Sequence, residues 1–145
     1  MNAAYNVSLT WSIDDHPGEE TVLAVRRKLA AYNVATAAID SGQELAILCR
    51  NNQGTLMGGA TGTVWGKVVE VNHVWVHSRL RGRGYGSRLL LTLEREAKSR
   101  ESHTSLLDTF SFQAPGFYRH LGYEVFGVID GYPSGYKKYF LHKRL

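Results

Sequence analysis

Residues 69–86 read Val-Glu-Val-Asn-His-Val-Trp-Val-His-Ser-Arg-Leu-Arg-Gly-Arg-Gly-Tyr-Gly, and the ten positions after them form an amphipathic pattern. A strand that feeds a basic, glycine-rich turn opening a helix is a pocket for phosphates. Gly84 and Gly86 lack a Cβ, so backbone can approach a ligand closely, and the first N–H groups of the helix point at whatever anion sits there. The arrangement predicts a ligand carrying a pyrophosphate. A P-loop needs a lysine directly after its last glycine, and a dinucleotide fingerprint needs Gly-x-Gly-x-x-Gly; glycines at 82, 84 and 86 satisfy neither. The pattern that remains is Arg-x-x-Gly-x-Gly, carried by Arg81, Gly84 and Gly86.

Downstream, Gly86, Leu89, Leu90, Leu93 and Ala97 make one apolar helix face, with Arg88, Glu94, Arg95 and Lys98 off it. Upstream, Glu44 to Arg50 and Thr55 to Val64 read as a hairpin around Asn51-Asn52-Gln53-Gly54, and Lys67 to Val76 as a third antiparallel strand. Thr104 to Phe112 follows a strand and a crossover helix, so it is expected parallel to the strand before the turn. Pro115 opens a short helix that Gly122 closes, and Glu124 to Ile129 and Lys137 to Lys143 complete the sheet. Near the N-terminus, Val22, Val25, Leu29 and Tyr32 mark a first helix, Asn33 to Ile39 a looser second one, and Val7 to Ile13 a first strand. The expected fold class is α/β, a mixed, mostly antiparallel central sheet with helices on both faces, in one domain over residues 1–145.

At 145 residues the chain supports one real core. Its net charge of +4 suits an anionic cofactor but is too modest to imply nucleic acid, which is not expected as a partner. No apolar run is long enough to span a bilayer, and residues 1–9 do not read as a signal peptide, so no membrane partner and a cytoplasmic location are expected. The single Cys49 excludes an intramolecular disulfide and reads as a buried structural thiol. The six histidines show no paired ligand spacing, so no metal is expected.

The glycine turn resembles the acetyl-coenzyme A motif of the GNAT N-acetyltransferase superfamily. Ala114, Phe117-Tyr118 and Leu121-Gly122-Tyr123-Glu124 resemble that family's second motif, in the right order. The resemblance covers nearly all of the chain. At closer range, residues 108–115 and the tyrosine-rich end look like a bacterial subgroup whose acceptor the likeness does not name.

The resemblance implies acetyl-CoA as cosubstrate and direct attack of an amine on its thioester, with no acyl-enzyme. Cofactor contacts are then expected from Val74, Trp75, Val76, Arg81, Gly82, Arg83, Gly84, Tyr85, Gly86, Ser87, Ala114, Phe117 and Tyr118. Backbone N–H groups near Trp75 and Val76, where a bulge is expected, would bond the pantetheine arm and stabilise the oxyanion. Tyr118 is expected to supply the leaving thiolate's proton. Glu70, eleven residues before Arg81 and among Val68, Val69 and Val71, is expected to be partly desolvated and to act as the base. His73, placed on the opposite strand face by simple alternation, and a water relay are the alternatives; His77 reads as a loop residue. The acceptor is the amine of a small molecule or a protein, met near Tyr32-Asn33 and the 130–136 loop. An acyl-CoA sensor without turnover, and a toxin acetylating aminoacyl-tRNA, are the competing readings, and a homodimer is left open.

Overall fold

The computed structural model describes residues 8–37 and 42–145, which fall into two compact units, residues 1–41 and 42–145. In the first, α1 (Glu19–Ala37) starts where Gly18 C=O accepts from Thr21 and Val22, with Glu19 and Glu20 in the favourable first turn. The expected break before Asn33 is absent. No glycine or proline interrupts residues 19–37, and Ala30, Ala31 and Ala35 are strong helix formers, so one helix runs through. Ala38 and Ile39 lie outside the described residues. The expected first strand is also corrected: residues 8–13 form none, because the alternation Leu9, Trp11, Ile13 makes a strand only where a ladder partner exists. Val7 lies outside the described residues.

The second unit is a six-stranded mixed sheet, in the order β1-β2-β3-β4-β6-β5. Its strands are β1 (Gln43–Arg50), β2 (Leu56–Trp65), β3 (Val68–Val76), β4 (Thr104–Phe110), β5 (Glu124–Ile129) and β6 (Lys138–Arg144). Only β3 and β4 run parallel; β1, β2 and β3 are antiparallel neighbours as expected. The helix after the glycine turn, α2 (Tyr85–Ser99), supplies the crossover, and α3 (Pro115–His120) precedes β5. β4 stops at Phe110, not Phe112. Gln113 turns the chain there, its N–H bonding Phe110 C=O while its side-chain oxygen accepts from Phe110 N–H and Thr109 Oγ1.

The core lies under α2. Leu89, Leu90, Leu93 and Ala97 are buried with Leu45, Ala60, Val69, Val71, Leu107 and Leu141. Each fully buried leucine contributes about 1.5–3 kcal/mol of transfer free energy. Cys49 is half-buried, not buried. Glu94, expected off the apolar face, is buried among these residues because two partners meet its carboxylate. Tyr123 Oη donates to Oε1 at 2.8 Å and Lys143 Nζ to Oε2 at 2.6 Å, while Ser105 Oγ pairs with the same phenol at 2.6 Å.

Burial pushes the phenols of both Tyr118 and Tyr123 above their ordinary range. The native state therefore holds protons that the unfolded chain releases near its tyrosine pKa, so stability is fully present below about pH 10 and falls as pH rises beyond it. Tyr123→Phe should cost about 1–3 kcal/mol in denaturant unfolding at neutral pH, since Ser105 and Glu94 each lose a buried partner. It should also flatten the alkaline loss of stability, read from midpoints measured across pH.

Candidate active site

The site begins at one extra residue. Thr61 pairs with His73 but the next β2 residue, Gly62, pairs with Val71, so Asn72 is a β-bulge. A Cβ on Gly62 would stand 2.7 Å from the Glu70 carbonyl oxygen; only glycine permits that approach. The bulge was expected at 74–76 and lies two residues earlier, which changes the phase of everything after it. Val69 and Val71 face the core, and Val74 and Val76 pack against it in turn. Glu70, His73 and Trp75 share the other face. His73, expected opposite Glu70, is therefore beside it, with Nδ1 3.1 Å from Thr61 Oγ1. Glu70 is exposed. The desolvation expected from its apolar neighbours is absent, because Val69 and Val71 point through the sheet to the opposite side.

Past the bulge β3 and β4 part. Their pairing covers Val68–Val71 against Thr104–Leu107, while β4 continues with β6 to Phe110. His77 N–H bonds Met57 C=O at 2.9 Å. By ladder alternation the backbones of Trp75 and His73 also face β2, and those of Val74 and Val76 face the opening. The free amides are thus those of Val74 and Val76, and Trp75's is turned away. The Val76 carbonyl, on the open side, accepts from Arg81 Nε at 3.0 Å.

This bond folds the glycine turn back on the strand. Between them lies one 3₁₀ turn (Ser78–Leu80), which His77 caps by accepting Arg79 N–H on Nδ1; a loop role was expected and is what His77 has. Gly82 and Gly84 are left-handed, and a Cβ on either would meet nothing within 4 Å. Gly84 begins α2 without a side-chain cap, and the first amide bonded back to it is Arg88's, at 3.0 Å. The amides of Tyr85, Gly86 and Ser87 therefore have no partner within the helix, and Arg81 and Arg83 belong to the same turn. These residues suit an anion carrying more than one charge.

α3 closes the other side. A Cβ on Gly86 would lie 3.4 Å from the Phe117 ring and 3.8 Å from a Val76 methyl, so Val76, Gly86 and Phe117 meet at one point. Ala114 starts α3 in an extended conformation and accepts Phe117 N–H. The Tyr118 ring stands edge-on to Phe117 at 5.0 Å and to Tyr123 at 5.9 Å. Burial raises its pKa first, and the negative charge of Asp108 raises it further. Asp108 is the neighbour that reading the sequence missed. The signal was its alternation with Phe110 on one strand face.

Two hollows, of about 600 and 430 Å3, flank α2, one towards β6 and one towards β1; Val74, Val76 and Tyr118 line neither. Among the described residues no group of three or more His, Cys, Asp or Glu is placed to hold a metal ion, and no helix is long and apolar enough to cross a membrane.

A parted pair of parallel strands beside an uncapped, glycine-fronted helix suits a ligand that is anionic at one end and extended along the opening. The model of the acetyltransferase (GNAT) family matches residues 9–123, and the chain belongs to that family. It is 40% identical to the blasticidin-S acetyltransferase of Streptomyces morookaense over 96 residues, 64% of this chain and 69% of that one. A crystal structure of an acetyltransferase from Agrobacterium tumefaciens superposes with TM-score 0.87 at 28% identity, covering 94% of this chain and all of the other. One from Bacillus cereus does so with TM-score 0.75 at 32% identity, covering 92% and 98%. The protein is an acetyl-CoA-dependent N-acetyltransferase.

The left-handed turn makes a structural prediction independent of any ligand. Gly84→Ala should cost about 1–2 kcal/mol through its backbone angle alone, although the space is open. Gly86→Ala should be tolerated, whereas Gly86→Val should cost about 1–3 kcal/mol by driving methyls into Phe117. Thermal or denaturant unfolding of the three variants checks this order.

Proposed function

We propose that this chain moves the acetyl group of acetyl-CoA to the primary amine of a small molecule, and that blasticidin S is the first acceptor to test. The relative that carries that name supports the acceptor class. The observation that carries the mechanism is the row of unpartnered amides at the start of α2, beside the opening between β3 and β4.

In this reading the amides of Tyr85, Gly86 and Ser87, with Arg81 and Arg83, take the pyrophosphate, and Gly82 and Gly84 leave it room. Val74 and Val76 offer their amides to the pantetheine arm and to the oxyanion of the tetrahedral intermediate. Ala114, Phe117 and Tyr118 form the wall against the thioester. The acceptor nitrogen attacks the carbonyl carbon and sheds a second proton to water as the C–S bond breaks, while Tyr118 Oη donates a hydrogen bond to the leaving sulfur, which takes its proton from solvent. An alkyl ammonium has a reference pKa near 10.4, so the amine must first lose a proton. Glu70, exposed and beside His73, takes it through water.

Arg81→Ala should weaken acetyl-CoA binding by about tenfold to a hundredfold, the size of one lost charge-assisted contact. Calorimetry showing unchanged affinity would remove the pyrophosphate from this turn. Because Arg81 also holds the Val76 carbonyl, Arg81→Lys should recover only part of the loss.

Tyr118→Phe should lower thiol release with a saturating acceptor by about 10² to 10⁴ while sparing acetyl-CoA affinity. Glu70→Gln should lower turnover with a saturating acceptor by about 10² while sparing acetyl-CoA affinity. Turnover that survives Glu70→Gln would transfer the role to His73 or to water alone.

A further inference from the structure

The loops after β4 and β5 meet at four aromatic rings that the steps above do not use. Phe110 stacks on Phe112 at 5.2 Å with planes 11° apart. Tyr132 meets Phe110 edge-on at 4.9 Å, and Tyr136 meets Phe112 at 4.8 Å. The loops are clipped together by polar bonds, Ser111 N–H to Lys137 C=O at 2.8 Å and Lys137 N–H to Ser111 Oγ at 3.1 Å. The rings are thus held in place although Phe112 is 56% and Tyr136 41% exposed. Phe112, backed by Phe110 on one face and met by Tyr136, still keeps more than half of its surface open, the form of a stacking platform.

The platform borders the opening between β3 and β4, because β4 runs on with β6 to Phe110 after its pairing with β3 ends at Leu107. Asp108 precedes Phe110 by two residues on the same strand face, and its charge reaches Tyr118. Its carboxylate pairs with Lys138 Nζ at 2.8 Å, and that ammonium lies 5.5 Å from the Phe110 centroid. Because Asp108 is already paired and half-exposed, it adds little net attraction for a cation. A flat ring laid on Phe112 gains dispersion and apolar burial that a thin aliphatic chain cannot match. Stacking, not charge, therefore dominates what this wall selects.

We propose that Phe112 and Tyr136 form the acceptor-recognition platform, and that the acceptor is an amine carried on a planar aromatic or heteroaromatic ring. The proposal rests on the acetyl-transfer reading of the site. Calorimetry on the coenzyme A complex, with tryptamine and putrescine as probes, tests it without requiring turnover. Tryptamine should bind about tenfold or more tightly than putrescine, and Phe112→Ala should erase that preference. Phe112→Leu, which keeps apolar bulk without a flat face, should lose most of it too. Equal binding of the two amines, a preference that survives Phe112→Ala or Phe112→Leu, or no binding of either amine would each overturn the platform. Failure of coenzyme A itself to bind would instead overturn the acetyl-transfer reading.

Discussion

The close approach of Gly62 to the Glu70 carbonyl is the constraint from which the site's geometry follows. It lets β3 carry one residue more than β2 opposite it, and the surplus residue, Asn72, re-aims every side chain and amide beyond it. Two consequences come together. The valines of the second half of β3 turn to the same side as those of the first, so the core continues under α2. The strand also leaves β4 just past the bulge, so the amides of Val74 and Val76 end at an opening and not in a ladder. A regular strand would have buried those donors against β4.

α2 performs two tasks at its two ends, and they make different demands. Its middle must be apolar to cover β1, β2 and β3; its first turn must be bare so that its amides stay unpaired. Gly84 meets the second demand by supplying no cap, at the cost of a left-handed residue. The polar exception in the middle, Glu94, ties α2 to the start of β5 through Tyr123 and to β6 through Lys143. Desolvating that carboxylate costs several kcal/mol before its partners offset it, so the pair adds little net stability over a packed apolar pair. Its effect is positional. Tyr123, fixed by Glu94 and Ser105, is the ring against which Tyr118 rests, so a buried ion pair supports the tyrosine that the proposed mechanism sets at the leaving sulfur.

What could be read from the sequence divides along physical lines. The glycine turn, the hairpin, the parallel β4 and the helix stop at Gly122 are local signals or follow from connection rules, and they stand as expected. The bulge could not be placed, because alternation within one strand does not reveal where its partner changes register; that information sits in Gly62, on β2. The misplacement carried over to His73, whose face was assigned by counting through it, whereas Glu70 was misjudged because its valine neighbours point to the opposite side of the sheet. Glu94 was assigned to solvent because helical spacing knows nothing of a lysine and a tyrosine arriving from β6 and β5. Asp108 escaped notice for a similar reason: its charge reaches Tyr118 from β4 to α3, a relation between elements that spacing along the chain does not reveal.

That nearness bears on what Tyr118 can do. A phenol near pKa 10 is already a weaker acid than a thiol near 8.5, so full transfer of its proton to a thiolate is uphill by about 2 kcal/mol. Burial and Asp108 both push the phenol further up, which makes full transfer less favourable still. The same shift keeps the hydroxyl protonated through the whole working range of pH. Tyr118, standing at the leaving sulfur as proposed, would therefore act as a constant hydrogen-bond donor to developing negative charge, with the final proton arriving from solvent. Such a donor is worth most where water is excluded, and the edge-on rings of Phe117 and Tyr123 provide that exclusion on two sides. Lys138 moderates the cost by pairing with Asp108, so the acid that raises the phenol is held short of the strength an unpaired carboxylate would have.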